Sequence, residues 1–250
     1  MKEKDRYLRQ LLISDIEEIT QRPLVVYFSQ LDQEIGHSDP DDLSEILSGV
    51  SGPEIDFLIH TPGGNVDATE KIISILKQRV RSYRVVVPSW AKSAGTVLAL
   101  SSEQIVIGVN SELGPIDPQF RTPNGSVPGE VLAADEGQPF HIRQIASLAV
   151  QRVKMLAKQL LTKGMMCDKT EQEINDVLSK ISSSNGYLSH GAVIDYNEAV
   201  NLGLNVEYLM PDDELWRRIW ILYCMYDYDT KQNKLGKIFE GSAYSIARPS

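Results

Sequence analysis

Two stretches of sequence decide the fold of this chain: LIHTPGG at residues 58–64 and AKSAGTVLAL at residues 91–100. The first ends an apolar run of strand length and turns at two glycines, which permit backbone conformations that other residues avoid. The second follows another apolar run and continues as a small, apolar segment that predicts a short buried helix. Both stretches therefore lie where a predicted strand gives way to a helix.

The same alternation of strands and helices extends over residues 24–110. Short runs rich in Val, Ile, Leu and aromatic residues predict buried strands at 24–28, 55–60, 85–88 and 105–109. Because helical patterns separate these strands, the sequence predicts parallel βαβ units and an α/β fold with a sheet covered on both faces. The remaining pattern predicts a long loop at 120–138, helices at 141–163, 169–182 and 195–202, a strand at 204–209, a helix at 212–226 and a loose tail at 240–250.

Composition narrows the classes of function. The chain has 250 residues, with 34 acidic against 25 basic side chains and a formal net charge of −9. This balance argues against a nucleic-acid partner, because affinity for phosphates depends on Lys and Arg. No apolar run reaches the roughly 18 residues that a membrane span needs, and the first residues do not resemble a signal peptide. We therefore expect a cytoplasmic protein.

Metal and cofactor sites are not predicted. The two cysteines, Cys167 and Cys224, lie far apart and outside any CxxC motif. That usage fits a reducing compartment and excludes a disulfide scaffold or a cysteine-based zinc site. The four histidines are scattered and form no HExxH motif. We expect no metal and no cofactor.

Ser93 is the candidate nucleophile. It opens the predicted helix of the second stretch between small neighbours, which let a substrate backbone come close. The backbone N–H groups near Gly63, Gly64 and Ala94 could form an oxyanion hole beside it. The alternative is that Ser93 only caps the helix and that TPGG is only a tight turn.

Three motifs in order resemble a known family. LIHTPGG, AKSAGTVLAL and LGPIDPQ at residues 113–119 are similar to the Clp protease/crotonase superfamily, and within it to the serine dehydrogenase proteinase family, a relative of the Clp proteolytic subunit and of signal peptide peptidase A. The resemblance covers about residues 22–210. It implies a ClpP/crotonase-like spiral of ββα units with a helical C-terminal part, a homo-oligomer, and a serine peptidase acting on peptide or protein substrates. We accordingly divide the chain into an N-terminal helix at 1–21, a serine protease domain at 22–210, and a C-terminal helix and tail at 211–250.

A serine nucleophile needs a base, and the four histidines are the first candidates. His37 lies in a predicted acidic surface loop, His60 at the end of a predicted strand and His141 at the start of a predicted helix. His190 lies on a polar, Gly-punctuated turn and is free to reach a site. The family resemblance implies the chain order Ser, Asp, His, and the matching positions are Ser93, Asp117 and His190.

Other mechanisms stay open at this point. Relatives of signal peptide peptidase A use a Ser–Lys dyad, and burial can lower a lysine pKa enough for it to act as a base. The candidate lysines are Lys92, Lys154, Lys158 and Lys163. A crotonase-like acyl-CoA enzyme would use the same oxyanion hole without a nucleophilic serine, and a non-catalytic scaffold would need neither.

Assembly is expected to involve the last predicted helix. Its large apolar side chains exceed what one helix needs for packing in its own domain, and exposed patches of this kind mark contact sites. They are Trp216, Ile219, Trp220, Leu222 and Tyr223.

Overall fold

The computed structural model describes residues 4–123 and 125–250. Its helices are α1 Lys4–Thr20, α2 Asp39–Ser48, α3 Val66–Arg79, α4 Ala94–Leu100, α5 Gly129–Ala134, α6 Phe140–Lys163, α7 Glu171–Ile181, α8 Ser184–Tyr187, α9 Tyr196–Asn201 and α10 Glu214–Asn233. Its strands are β1 Leu24–Ser29, β2 Glu54–His60, β3 Ser82–Val87, β4 Trp90–Ala91, β5 Gln104–Ile107, β6 Glu112–Leu113, β7 Gln119–Thr122, β8 Gly125–Pro128, β9 Val206–Tyr208, β10 Leu235–Glu240 and β11 Ser245–Pro249.

A seven-stranded sheet in the order β11-β10-β1-β2-β3-β5-β9 forms the centre of the molecule. The strands β1, β2, β3, β5 and β9 run parallel, and β10 and β11 are antiparallel to their neighbours. The four predicted strands of residues 24–110 are present, and every residue of β1 is buried. The α/β fold class predicted from the sequence is confirmed.

A second, shorter row of strand pairs lies after the carboxyl ends of the main strands. Parallel bridges join Ile35 to Gly64 and Thr61 to Ala91, and β4 pairs with β6. Each long strand is thus followed by a short extended segment and, in the first three units, by a helix. This repeat is the ββα spiral that the family resemblance implied.

The helices cover both faces of the sheet. Alternate residues of β1 point to opposite faces, so Val25 and Tyr27 join the larger core with α2, α3, α4, α6 and α7. Val26 and Phe28 join the smaller core, which α1 and α10 close. The buried side chains of α10 in this smaller core include Trp216, Ile219, Leu222 and Tyr226.

This packing corrects the prediction of a contact surface on α10. Trp216, Ile219 and Leu222 are at most 3% exposed, because they fill the core between α10 and the sheet. Trp220 and Tyr223 are partly buried and pack against the same cluster. These side chains therefore do not form a free apolar patch.

Two further predictions differ from the structure. The expected loop at 120–138 contains the hairpin β7–β8 and the short helix α5. The expected tail at 240–250 contains β11, which pairs with β10 and extends the sheet. Ile238 and Phe239 of β10 are fully buried, so β10 belongs to the core, whereas β11 is partly to fully exposed. The domain boundaries given above stay a prediction.

Within residues 4–123 and 125–250, none of the helices combines the length and the apolar composition that crossing a bilayer requires.

Candidate active site

A cleft of about 410 Å³ lies beside the second row of strand pairs. Its lining includes Ser93, Gly64, Ala94 and His190, together with apolar side chains such as that of Ile116. We call it the Ser93 cleft. Four of the six predicted site residues therefore line one cavity, although they come from three separate parts of the chain.

The backbone at Ser93 is unusual. Its φ of 52° and ψ of −117° fall in a region that residues other than glycine rarely adopt. Such conformations persist where the surrounding structure enforces them, and they cluster at functional sites. Ser93 occupies the N-cap position of α4, but its side chain makes no capping hydrogen bond. The Ser93 side chain therefore does not cap α4.

Small residues hold this turn against the neighbouring strand end. A Cβ on Gly95 would come within 2.6 Å of the Thr61 methyl group, so the close approach requires glycine. Backbone hydrogen bonds join Thr61 N–H to the Trp90 carbonyl at 3.0 Å and Lys92 N–H to the Thr61 carbonyl at 3.1 Å. The sequence TPGG and the sequence AKSAG are thus directly paired.

The glycine turn lies next to the serine. A Cβ on Gly63 would meet the Ser93 Cβ at 2.7 Å and the Ala94 nitrogen at 2.9 Å. The Gly63 N–H donates to the Thr61 hydroxyl at 3.2 Å, and its carbonyl accepts from Ile35 N–H at 2.7 Å. Gly63 therefore contributes space and holds the turn.

Two backbone donors are available near Ser93. Among the described residues, neither Gly64 N–H nor Ala94 N–H has a hydrogen-bond acceptor. Both residues line the Ser93 cleft. Unpaired backbone N–H groups beside a serine are the kind of donor that can stabilise a developing oxyanion.

His190 and Asp117 are in direct contact. Nδ1 of His190 lies 2.8 Å from Oδ1 of Asp117, and the Asp117 side chain is only 4% exposed. The other carboxylate oxygen accepts a hydrogen bond from Gln119 Nε2 at 2.6 Å. Because a carboxylate can only accept, the ring donates from Nδ1, and in the neutral ring the free lone pair then lies on Nε2.

Ser93 and His190 line the same cleft without a direct hydrogen bond between their side chains in the described part of the chain. The structure thus brings together Asp117 with His190, and Gly63 with Ser93. The catalytic roles assigned to these residues from the sequence stay predictions.

Three of the lysines considered as alternative bases lie away from the Ser93 cleft, and two of them pair with carboxylates. Lys154 pairs with Glu130 at 2.8 Å, and Lys158 pairs with Glu171 at 2.6 Å. Lys163 is exposed near the end of α6. None of these three residues lines the Ser93 cleft.

Lys92, the neighbour of Ser93, is also held by other groups. Its ammonium donates to the carbonyls of Leu113 and Ala192 and lies 3.3 Å from a carboxylate oxygen of Glu112. Burial lowers the pKa of Lys92, and Glu112 opposes this shift by favouring the charged form.

The other histidines lie outside the Ser93 cleft. His37 and His141 are exposed. His60 is buried at the end of β2, where Nδ1 lies 3.0 Å from the Ser29 carbonyl and the ring stacks on Phe28. Burial lowers the pKa of His60 to about 4, so this side chain is neutral at physiological pH.

Sequence reasoning missed Gln119 and the contacts of Lys92. Gln119 stands two residues after Asp117 in LGPIDPQ, and an amide so close to a carboxylate is the signal that could have found it.

Clustered metal ligands are absent from the described ranges, where no three His, Cys, Asp or Glu side chains converge on a possible ion.

The chain is similar to two curated proteins of Methanocaldococcus jannaschii. It is 35% identical over 182 residues to the uncharacterized protein MJ0137, an alignment that covers 69% of this chain and 62% of that protein. It is 28% identical over 179 residues to the uncharacterized protein MJ1495, covering 68% of this chain and 59% of that protein. The chain therefore spans about three fifths of the length of these relatives.

Solved structures with a similar course of the chain include ClpP1 from Listeria monocytogenes and a point mutant of it. The TM-scores are 0.48 and 0.49, at 19% and 20% sequence identity, and each alignment covers 83% of this chain and 99% of the other. A protein-family model described as ClpP-like SDH-type serine proteinase matches residues 39–235, most of the chain. This match shows that the chain belongs to the ClpP-like SDH-type serine proteinase family.

Proposed function

We propose that this chain is a serine peptidase that hydrolyses peptide bonds through Ser93, His190 and Asp117. One observation carries the proposal. His190, whose Nδ1 lies 2.8 Å from Asp117 Oδ1, lines the same cleft as Ser93, which has an unusual backbone conformation. A serine, a histidine and a buried carboxylate around one cleft form the set of groups that acyl transfer needs.

The first half of the reaction forms an acyl-enzyme. Ser93 Oγ attacks the carbonyl carbon of the scissile peptide bond, and its proton passes to Nε2 of His190. The imidazolium then gives that proton to the leaving amine as the C–N bond breaks. Asp117 keeps the ring in the tautomer that leaves Nε2 bare, and it stabilises the imidazolium while it exists.

The second half repeats the steps with water. His190 takes a proton from the water molecule, whose oxygen attacks the ester carbonyl. The tetrahedral intermediate collapses, the bond to Ser93 breaks, and the proton returns to Oγ. The enzyme and a free carboxylic acid result.

Negative charge on the reacting oxygen requires donors. The unpaired N–H groups of Gly64 and Ala94 support this role, since Gly63 allows the two segments to touch. Removing one such donor in a serine peptidase typically costs about 10² to 10³ in rate. The missing hydrogen bond between Ser93 and His190 is compatible with the proposal, because catalytic hydrogen bonds often tighten only when substrate binds.

The contacts of the lysines favour histidine as the base. The Lys92 ammonium already donates to two carbonyls, and a base must offer a free lone pair. Lys154 and Lys158 hold carboxylates outside the cleft. No observation favours an acyl-CoA substrate.

The homo-oligomer and the cytoplasmic location stay proposals. The family resemblance supports the homo-oligomer. The α10 side chains that first suggested it do not, because Trp216, Ile219 and Leu222 are buried in the core of the chain itself. Both cysteines, Cys167 and Cys224, are free thiols, which supports a reducing compartment. Sedimentation at micromolar concentration tests the assembly: a multiple of the monomer mass is expected, and a monomer alone contradicts it.

Labelling with a fluorophosphonate tests the proposed nucleophile. The wild-type protein should be modified at Ser93, and Ser93→Ala should abolish both labelling and hydrolysis of a peptide library. The matched control is Ser74→Ala, because Ser74 is exposed on α3 away from the cleft. Labelling that persists in Ser93→Ala would contradict the proposal.

His190→Ala separates the triad from the dyad. We expect this variant to lose labelling and turnover while its circular dichroism and thermal midpoint stay close to wild type. Full activity in His190→Ala would instead assign the base to a lysine.

A further inference from the structure

Lys92 occupies a partly buried position between three segments of the chain. Its side chain is 15% exposed, although it directly precedes Ser93. The ammonium nitrogen lies 3.0 Å from the Leu113 carbonyl, 3.1 Å from the Ala192 carbonyl and 3.3 Å from Glu112 Oε2. A lysine ammonium has three donors, and here three oxygen acceptors surround it.

The three acceptors lie on the segments that carry the other site residues. Glu112 and Leu113 form β6, which leads directly to Asp117. Ala192 is two residues beyond His190. One ammonium group thus connects the turn that bears the serine with both segments that bear its proposed partners.

Other contacts of the His190 segment explain why this link matters. The N–H groups of Gly191 and Ala192 donate to Ser189, so these bonds remain within the segment. Ile194 forms a bridge with Leu113, which fixes the far end of the segment to β6. Between Ser189 and Ile194, the Ala192 carbonyl accepts a hydrogen bond from the Lys92 ammonium, which belongs to another segment of the chain.

The side chain of Lys92 fits closely into its place. A Cβ on Gly114 would lie 2.7 Å from Lys92 Cδ and 3.6 Å from the Ala192 carbonyl oxygen. Thr96 adds a second link nearby, because its hydroxyl oxygen accepts from Gly114 N–H at 3.0 Å. Lys92 does not line the Ser93 cleft, so it is not placed to touch substrate.

We propose that Lys92 is a positioning residue, whose ammonium holds the segment 189–192 against β6 so that His190 stays oriented between Asp117 and Ser93. This inference rests on the proposed function for its catalytic consequence. Its structural part, the link between Lys92 and the Ala192 carbonyl, is independent of any activity.

Hydrogen exchange and kinetics of Lys92→Met test the two parts together. Met keeps the unbranched stem and removes the donors. We expect the amides of Gly191 and Ala192 to exchange at least about tenfold faster, while those of β2 keep the wild-type rate. The kcat for a peptide substrate should fall about 100-fold with KM within about twofold, because a small misplacement of a catalytic group costs rate. Lys71→Met on the exposed face of α3 is the matched control.

Gly114→Ala provides a second variant if Lys92→Met does not fold. The added methyl displaces the Lys92 stem, while the lysine keeps its ammonium group. We expect the same two changes to a smaller extent. A folded variant in which either the exchange of 191–192 or kcat matches the control Lys71→Met overturns the proposal.

The failure of this inference is distinguishable from failure of the proposed function. Labelling that persists in Ser93→Ala refutes the peptidase mechanism and with it the positioning role of Lys92. Loss of labelling in Ser93→Ala, combined with unchanged kcat in Lys92→Met, refutes only the role of Lys92.

Discussion

The imidazole of His190 meets the carboxylate of Asp117 at 2.8 Å across 73 residues of sequence. The bridge between Leu113 and Ile194 makes this contact possible, because it brings the segment after β6 alongside the segment before α9. Gln119 donates to the second carboxylate oxygen, so the carboxylate has one oxygen for each partner. Asp117 thus orients the imidazole ring of His190, and the side-chain amide of Gln119 orients the Asp117 carboxylate.

Replacing Asp117 with Asn should test this orientation. An amide can donate as well as accept, so the new side chain would no longer require Nδ1 of His190 to be the donor. The imidazole would then lose the tautomer in which Nε2 carries no proton. We expect kcat to fall by up to about 10⁴ with an unchanged fold. Steady-state kinetics and circular dichroism measure the two effects. Asp176→Asn, on the exposed face of α7, should retain the wild-type rate. A wild-type kcat in Asp117→Asn would contradict the assigned role.

Gly63→Ala should lower the reactivity of Ser93. Its Cβ would lie 2.6 Å from the Lys92 carbonyl oxygen and 2.7 Å from the Ser93 Cβ, at a φ of +98° that L-residues rarely adopt. The turn and the serine must then separate, so we expect at least a 100-fold loss of fluorophosphonate labelling rate. Thermal unfolding should show a lower midpoint, because the new side chain is strained.

Gly36→Ala is the control for this glycine. A Cβ there would meet its nearest neighbour at 3.6 Å, an ordinary contact, and the residue belongs to the segment that pairs with the turn. Labelling at the wild-type rate is expected. If Gly63→Ala also labels at the wild-type rate, the close contact between the turn and Ser93 is not needed for reactivity.

The parallel core was predictable because its signals are local. The strands at 24–28 and 55–60 are apolar runs between breakers, and a buried parallel strand needs no more than that. The strands β10 and β11 were missed because LGKIFE and SIARP mix charged and apolar residues. The pairing of β10 with β1 depends on a partner more than 200 residues away in the sequence.

The site was predictable only in part. Ser93 and Gly63 are each marked by small neighbours, so their motifs could be read from sequence alone. Asp117 and His190 were assigned through the resemblance, since nothing local shows that they touch. The burial of Trp216 was missed because a helix that covers a sheet and a helix that covers a partner carry the same apolar stripe.

His60 should make stability depend on pH. Burial holds its pKa at about 4 in the folded protein, against the ordinary value of 6.5. The unfolded chain therefore binds a proton as the pH falls below 6.5, whereas the folded protein does not. Stability that is fully present above 6.5 is lost as the pH falls toward 4, and the part lost between pH 7 and pH 5 is about 2 kcal/mol.

His60→Phe should remove this part of the pH dependence. Phenylalanine keeps a ring between Phe28 and Trp90 and has no proton to bind. Urea denaturation at pH 7 and pH 5 measures the difference for both proteins. The variant should lose about 2 kcal/mol less than the wild type between the two values. His141→Phe, at an exposed site, should leave the wild-type difference unchanged; an unchanged difference in His60→Phe would show that other groups cause it.

Removing the charge of Arg9 should lower the free energy of unfolding substantially. Its guanidinium reaches Glu240 through Nε at 2.6 Å and Nη2 at 3.2 Å, and both side chains are at most 4% exposed. Arg9→Met leaves the Glu240 carboxylate buried with the Tyr226 hydroxyl as its remaining strong donor. We expect the free energy of unfolding to fall by about 3 to 5 kcal/mol, because an uncompensated buried charge stays behind.

A second variant and a control test this explanation. Adding Glu240→Gln to Arg9→Met removes the remaining charge and should recover part of the loss. Arg217→Met, on the exposed face of α10, should change the free energy of unfolding by less than about 0.5 kcal/mol. Urea denaturation of the three variants decides the matter: a loss below about 1 kcal/mol in Arg9→Met would show that water reaches Glu240 once the arginine is gone.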